Sequence, residues 1–220
     1  MKYHLELDIE FKQNPYKGKL IVLEGNEGTG KTTQVSKIVE VLIKKGYKAV
    51  ATKEPTNLTI GQFIREKVLS GKIKIPRLAI QYLYCADRAI HEEDIIQKLK
   101  DGYIVVCDRY FWSAVAYGMA DLNGDLDEYL VSFSILSAYN KFIKPDLTFY
   151  MDLPMDRALA RIKKSNKHKE IYDNAEMFPK IEKGYKYLLN KFPKEFVKID
   201  ASKPINEITD EIIGKIGKIV

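Results

Sequence analysis

The sequence predicts an α/β fold: one five-stranded parallel sheet with helices on both faces. Three observations predict it. Five short apolar runs punctuate the chain, at residues 19–24, 47–53, 103–108, 146–152 and 196–200. Between them lie longer segments that read as helices. The runs are nearly continuous in apolar residues rather than alternating, as expected of strands covered on both faces and joined through helices. The chain has 220 residues, 45% of them apolar and 30% charged. That is the range of a globular chain able to bury a core, and it excludes wholesale disorder.

Residues 1–18 stand apart from this alternation. Tyr3, Leu5, Leu7, Ile9 and Phe11 alternate with polar residues, the pattern of an amphipathic edge strand or arm. The domain proper is expected over 19–220. It opens with the strand KLIVLE (19–24) and a Gly-rich turn. A helix follows over 31–45, with Val35, Ile38, Val39 and Leu42 on one face and Gly46 as its stop. The second strand, 47–53, ends before Pro55. Helices are expected over 60–70 and 77–100, the latter closed by Gly102. After the strand 103–108 come helices near 111–120 and 126–142, then the strand 146–152. Helices over 155–163 and 175–191 flank a polar stretch, 163–173. The strand 196–200 and a helix over 204–219 complete the chain.

Composition narrows the function classes. No apolar run approaches the ~20 residues of a membrane span. The opening MKYHLELDIEF mixes charge with apolar residues and lacks a signal-peptide core, so a cytoplasmic location is expected. The two cysteines, Cys85 and Cys107, form no CxxC pair and read as small buried hydrophobes. The net charge of +6 fits an anionic ligand or weak nucleic-acid affinity. Only six of the 36 cations are arginines: Arg65, Arg77, Arg88, Arg109, Arg157 and Arg161. The planar guanidinium fork suits phosphate or carboxylate, so each is a candidate anion contact as well as a surface charge.

The chemistry begins at the end of the first strand. Gly25, Asn26, Glu27, Gly28, Thr29, Gly30, Lys31 and Thr32 match GxxxxGK(S/T) at every fixed position. Glycines let the backbone wrap phosphate with its N–H groups turned inward, and the following helix adds its positive end. Lys31 is placed to reach the β- and γ-phosphates of a nucleoside triphosphate, and Thr32 to hold Mg²⁺. A strand before the loop and an amphipathic helix after it predict a P-loop NTPase fold. Asn140-Lys141 and Asn190-Lys191 are not followed by the residues of a guanine-reading NKxD motif. The strand 103–108 ends in Asp108-Arg109 and not in the Asp-Glu of many ATPases. An arginine beside a magnesium-binding aspartate points to a second anion.

Four segments carry a family resemblance. LEGNEGTGKTTQ (23–34), which adds Thr33 to the loop, TKEPTNLTIGQFIREKVL (52–69), YLYCADRAIH (82–91) and VVCDRYFWSAVAYG (105–118) resemble the phosphate loop, the REPGGTPIGxxIRxxLL, the LLFxADRxxH and the DRYxxSxxAYQ segments of thymidylate kinases. DLPMDRALARI (152–162), YDNAEMFPKIEKGY (172–185) and IDAS (199–202) fit more loosely. The resemblance spans about 19–216. It implies ATP-dependent phosphorylation of dTMP to dTDP, with ATP and Mg²⁺ as cofactors and a homodimer packed through helices of the acceptor half. Neither a membrane nor a nucleic-acid partner is expected.

The resemblance also implies roles. Arg109 and Arg65 would face the acceptor phosphate, and Asp108 would help place Mg²⁺. Arg88 would contact the pyrimidine edge and Tyr84 would stack on the base. Ser113 and Tyr117 would line the acceptor site, and Glu27 would meet the sugar 3′-hydroxyl side. Human-type members carry an arginine where Gly28 stands, whereas bacterial-type members place cations in a lid. Here Arg161, Lys163, Lys164, Lys167 and Lys169 surround the lid expected near 163–173. Read without the resemblance, Tyr84 also fits a core position, Arg88 a pairing with Asp87 or Glu92, and Asp108-Arg109 a structural pair. Trp112 reads as core, and His91 and His168 as surface or lid residues. Gly118 replaces the family's Gln, Lys53 the Arg of REP, and Thr56-Asn57-Leu58 its glycine turn. These departures leave a kinase for another nucleoside monophosphate or a deoxynucleoside as an alternative. A P-loop ATPase acting on nucleic acid is the reading from a different class.

Overall fold

The computed structural model describes residues 8–121, 128–164, 170–172 and 174–220. The five apolar runs form one sheet: β1 (Lys19–Glu24), β2 (Ala49–Lys53), β3 (Ile104–Asp108), β4 (Leu147–Asp152) and β5 (Val197–Asp200). All neighbours pair in parallel, in the spatial order β2-β3-β1-β4-β5. Among the described residues, eight α-helices accompany them: α1 (Lys31–Lys44), α2 (Thr59–Phe63), α3 (Arg77–Lys100), α4 (Phe111–Asp121), α5 (Glu128–Tyr139), α6 (Met155–Lys164), α7 (Met177–Lys191) and α8 (Ile205–Ile216).

Strand alternation divides the core into two layers. Leu20 and Val22 of β1, with Val105 and Cys107 of β3, pack against α3, α4 and α7. Ile21 and Leu23, with Ile104 and Val106, pack against α1 and α8. Trp112 is fully buried, as its sequence context predicts. Cys107 is buried too, whereas Cys85 is only half-buried on α3, so the expectation of two buried cysteines is corrected. Among the described residues, no helix is long and apolar enough to cross a membrane.

Two elements differ from expectation. The helix expected over 60–70 is α-helical only to Phe63 and continues as a π-helical stretch, Ile64–Leu69. The wider winding buries Ile64, Val68 and Leu69 while Arg65 turns back to the carbonyls of Pro55 and Thr56. The described part of the N-terminal segment forms no strand of the sheet; its one ladder contact is an isolated bridge from Lys12 to Ile143. Ring packing holds this segment instead: Phe11 stacks on Phe111 with centroids 5.5 Å apart and tilts against Trp112 at 5.6 Å. Tyr3, Leu5 and Leu7 lie outside the described residues.

The register positions the chemistry. β1 and β3 are neighbours, with Leu23 opposite Asp108, so the loop after β1 and the turn after β3 leave the sheet side by side. Lys53 of β2 also lies opposite Asp108. Three sequence segments with anion-binding character thus converge at the carboxyl edge, where ligands bind in open parallel sheets.

Candidate active site

The loop after β1 has the backbone of a phosphate cradle. Gly25, Gly28 and Gly30 all take positive φ (134°, 75° and 91°), which lets successive N–H groups turn inward. A side chain at Gly28 would need α6 to shift: a Cβ would lie 2.5 Å from the Ala158 carbonyl and 3.0 Å from Ile162 Cγ1 of α6. Lys31 opens α1 and reaches back across the loop, donating to the carbonyls of Gly25 (3.1 Å) and Asn26 (2.7 Å). Burial, with the positive charge of Arg109 nearby, lowers its pKa to about 8.

A cavity of about 1460 Å³ opens beside the loop. Glu27, Gly28, Gly30, Lys31, Thr32 and Thr33 form one end of its wall. Gly25, Asn26 and Thr29 belong to the loop but not to that wall; the Thr29 hydroxyl closes the loop on the Asn26 carbonyl at 2.9 Å. The Thr32 hydroxyl donates to Asp108 Oδ2 at 2.5 Å. A hydroxyl and a carboxylate at the mouth of a phosphate loop are hard oxygen donors. They fit Mg²⁺, which takes one or two protein oxygens and fills its shell with phosphate and water.

Arg109 stands where β3 ends, at φ 72°, the sole non-glycine in the left-handed region among the described residues. Its N–H is fixed to the Leu23 carbonyl at 3.0 Å. Its Nη1 donates to the Gly25 carbonyl (2.9 Å), Ser113 Oγ (3.2 Å) and Tyr185 OH (3.2 Å). Its Nη2 pairs with Glu27 at 2.5 Å, and the guanidinium lies 5.0 Å from the centre of the Tyr117 ring. Burial works against its charge, but Tyr117, Glu27, Tyr185 and Asp108 together outweigh it and raise its pKa well above the ordinary value.

The other predicted acceptor residues line the same cavity: Arg65, Tyr84, Arg88, Ser113 and Tyr117. Tyr84 is half-buried, lining the cavity wall and packing against the core at once. Arg88 is buried and pairs with Glu54, its Nε 2.6 Å from Oε2, rather than with Asp87 or Glu92. Asp87 instead receives the Thr56 N–H and hydroxyl, and Glu92 accepts from Tyr110 OH and from the Ile143 N–H. His91 is likewise buried, 3.0 Å from Glu54 and 2.7 Å from the Thr52 hydroxyl, which corrects the surface or lid placement. Polar partners on both ring nitrogens compensate its burial.

Arg161, in the last turn of α6, is exposed and donates to the Ala201 carbonyl at 3.2 Å. Its Nη1 lies 3.9 Å from the position of a Cβ on Gly30, so it stands over the phosphate loop. Lys163 and Lys164 are exposed at the end of the same helix. Lys167, His168 and Lys169 lie outside the described residues. Gly118 faces α5 and not the cavity: a Cβ there would meet Ile135 Cδ1 at 2.3 Å. A side chain at this position would therefore need Ile135 of α5 to shift before it could extend.

Sequence reasoning missed Glu24, Tyr185 and Glu54. Glu24 is fully buried at the end of β1 and accepts from the N–H groups of Tyr110 and Ser113 and the hydroxyls of Ser113 and Tyr185. Burial pushes its carboxyl above the ordinary range despite these donors. A carboxylate ending an apolar strand is a local signal for such a role; Tyr185 had none, because its partners are distant in sequence.

Comparison with known proteins agrees with this geometry. The family model described as thymidylate kinase matches residues 23–212. A thymidylate kinase of Caldicellulosiruptor saccharolyticus is 35% identical over 198 residues, covering 89% of this chain and 94% of its own. A probable thymidylate kinase of Pyrococcus horikoshii is 36% identical over 207 residues, covering 90% and 95%. A solved thymidylate kinase from Candida albicans superimposes with a TM-score of 0.77 at 25% identity, covering 91% of this chain and 92% of its own.

Proposed function

The chain belongs to the thymidylate kinase family, and on that premise we propose how its cleft transfers the γ-phosphoryl group of ATP to dTMP. The reaction yields dTDP and ADP. The acceptor phosphate is already an anion near neutral pH, so no strong general base is needed. Catalysis rests on in-line positioning and charge neutralisation.

Lys31 binds the β- and γ-phosphates, within a cradle completed by residues 25–33. Thr32 and Asp108 would hold Mg²⁺, which when bound neutralises charge between the phosphates. Arg109 and Arg65 orient the acceptor phosphate. Tyr84 stacks on the base, Arg88 meets its edge, and Ser113 and Tyr117 line the wall beneath. Glu27 faces the sugar 3′-hydroxyl side. Arg161, with the lysines of a lid over 163–173, neutralises charge on the transferring group and excludes water.

The observation that carries this reading is the common acceptor of two cations. Lys31 from the donor side and Arg109 from the acceptor side both donate to the Gly25 carbonyl. A γ-phosphate and an acceptor phosphate bound to these two groups would be adjacent.

A homodimer and a cytoplasmic location complete the proposal. The dimer is supported by Leu78, Tyr82 and Ile90, all large, apolar and exposed on α3. The location is supported by nucleotide substrates and two free cysteines. Residues 8–18 precede the kinase domain of 19–220 as an arm packed through Phe11 against Phe111 and Trp112. The deciding experiment is ADP release from ATP with dTMP, dUMP, dCMP, dGMP, AMP, thymidine or no acceptor. Fast turnover with dTMP and slow turnover without acceptor are expected. A DNA-stimulated ATPase indifferent to monophosphates would overturn the reading.

A further inference from the structure

We infer that His91 is a positioning residue for base selection: through Glu54 it fixes the direction in which Arg88 Nη1 is presented to the acceptor base. The inference deepens, and rests on, the reading that Arg88 meets the pyrimidine edge.

Arg88 and His91 lie three residues apart on α3 and so share a face of the helix. Both reach Glu54, which follows β2, and all three are buried. Glu54 divides its two oxygens between them. Oε2 takes Arg88 Nε at 2.6 Å and Nη2 at 2.5 Å, while Oε1 takes His91 Nδ1 at 3.0 Å. Arg88 Nη2 also donates to the Tyr110 carbonyl at 3.2 Å. Nη1 is the one guanidinium nitrogen without a partner, and it is buried. A buried donor left unmade is costly, and Arg88 lines the cavity, so a base acceptor brought against this wall would satisfy Nη1.

His91 maintains this division. Nδ1 faces a carboxylate oxygen and donates to it, while Nε2 meets the Thr52 hydroxyl at 2.7 Å. With Nδ1–H removed, Oε1 loses its donor in a buried place. The carboxylate then gains by taking Arg88 in a two-pronged fork, which turns the guanidinium and redirects Nη1. A thymine or uracil O4 accepts from Nη1; the cytosine amino group at the same place does not. His91 thereby supports discrimination between these bases without touching either.

The test is steady-state ADP formation by the full chain with dTMP, dUMP and dCMP at saturating ATP. Asparagine places its amide at the level of Nδ1 and keeps the donor to Glu54; glutamine places it at the level of Nε2 and does not. His91→Gln should raise KM for dTMP and lower the preference for dTMP over dCMP, each about tenfold, with kcat and KM for ATP within about twofold. His91→Asn should stay within about threefold of wild type. Equal behaviour of the two variants, or an unchanged base preference in His91→Gln, overturns the inference. If His91→Gln does not fold, Thr52→Val decides: about a threefold fall in preference supports the inference and no fall overturns it. Arg88→Met separates the two layers. If it loses base preference while the His91→Gln and Thr52→Val variants keep theirs, the inference falls alone. If it keeps a wild-type KM for dTMP, the base-edge reading falls with it.

Discussion

Glu24 and Arg109 hold the same two hydroxyls. Arg109 Nη1 donates to Ser113 Oγ and Tyr185 OH, and both hydroxyls donate onward to Glu24 Oε2, at 2.5 and 2.9 Å. A buried carboxylate thus anchors a cation from behind while the front of its guanidinium stays at the cleft. This anchoring helps hold the left-handed backbone of Arg109, a conformation that costs about 1–3 kcal/mol.

Tyr185→Phe removes one of the two bridges without removing the ring. Stability should fall by about 1 kcal/mol, or about 2–4 °C in the thermal midpoint. KM for dTMP should rise several-fold with KM for ATP unchanged. Thermal melts and steady-state kinetics with each substrate varied check both effects.

Lys31 governs the alkaline side of the pH profile. Its pKa is about 8 against an ordinary value of 10.5, through burial and then Arg109. On the proposed function the ammonium binds phosphate, so kcat/KM for ATP should fall as pH rises through about 8. At saturating ATP the bound phosphates favour the ammonium, so kcat should hold to higher pH. For stability the sign is opposite. Between the folded and ordinary values the unfolded chain binds more protons, so this group makes the fold more stable as pH rises.

Lys31→Met should lower kcat by about 10²–10³, the loss of a preorganised charge at the transferring phosphoryl group. Near-normal turnover by a variant with an unchanged circular dichroism spectrum would refute the proposed mechanism.

Gly28→Ala meets two obstacles, a φ of 75° and the Ala158 carbonyl at 2.5 Å. A loss of about 1–3 kcal/mol is expected, together with weaker ATP binding. Gly46→Ala, at φ 88° with nothing within 4 Å, isolates the conformational part and should cost less. Comparing the two thermal midpoints, with nucleotide titrations, measures the packing of α6 over the phosphate loop.

Tyr82 is 69% exposed on α3. Tyr82→Glu should convert a dimer to monomer, read by light scattering on a sizing column. A wild-type chain that elutes as a monomer at micromolar concentration would refute the dimer.

Local pattern by itself determined the sheet, the helices and the phosphate loop. Apolar runs, helical spacing and the glycines before Lys31 are properties of neighbouring residues, and short-range sterics and burial decide them. The scarce arginines were legible for the same reason: residue chemistry and adjacent motif letters mark Arg65, Arg88 and Arg109. Tertiary structure alone decided who holds whom. Placing β3 beside β1 sets Asp108 against Thr32 and Arg109 against Glu27. Glu24 and Tyr185 meet across 161 residues. Glu54 takes Arg88 from the helical neighbours, Asp87 and Glu92, that looked available, and His91 proved buried because Glu54 and Thr52 satisfy its ring. Gly118 turned out to face a helix for the same kind of reason. A buried polar group takes whichever partner the packed elements bring within hydrogen-bond reach, and that depends on strand order and register, which no local stretch of sequence contains.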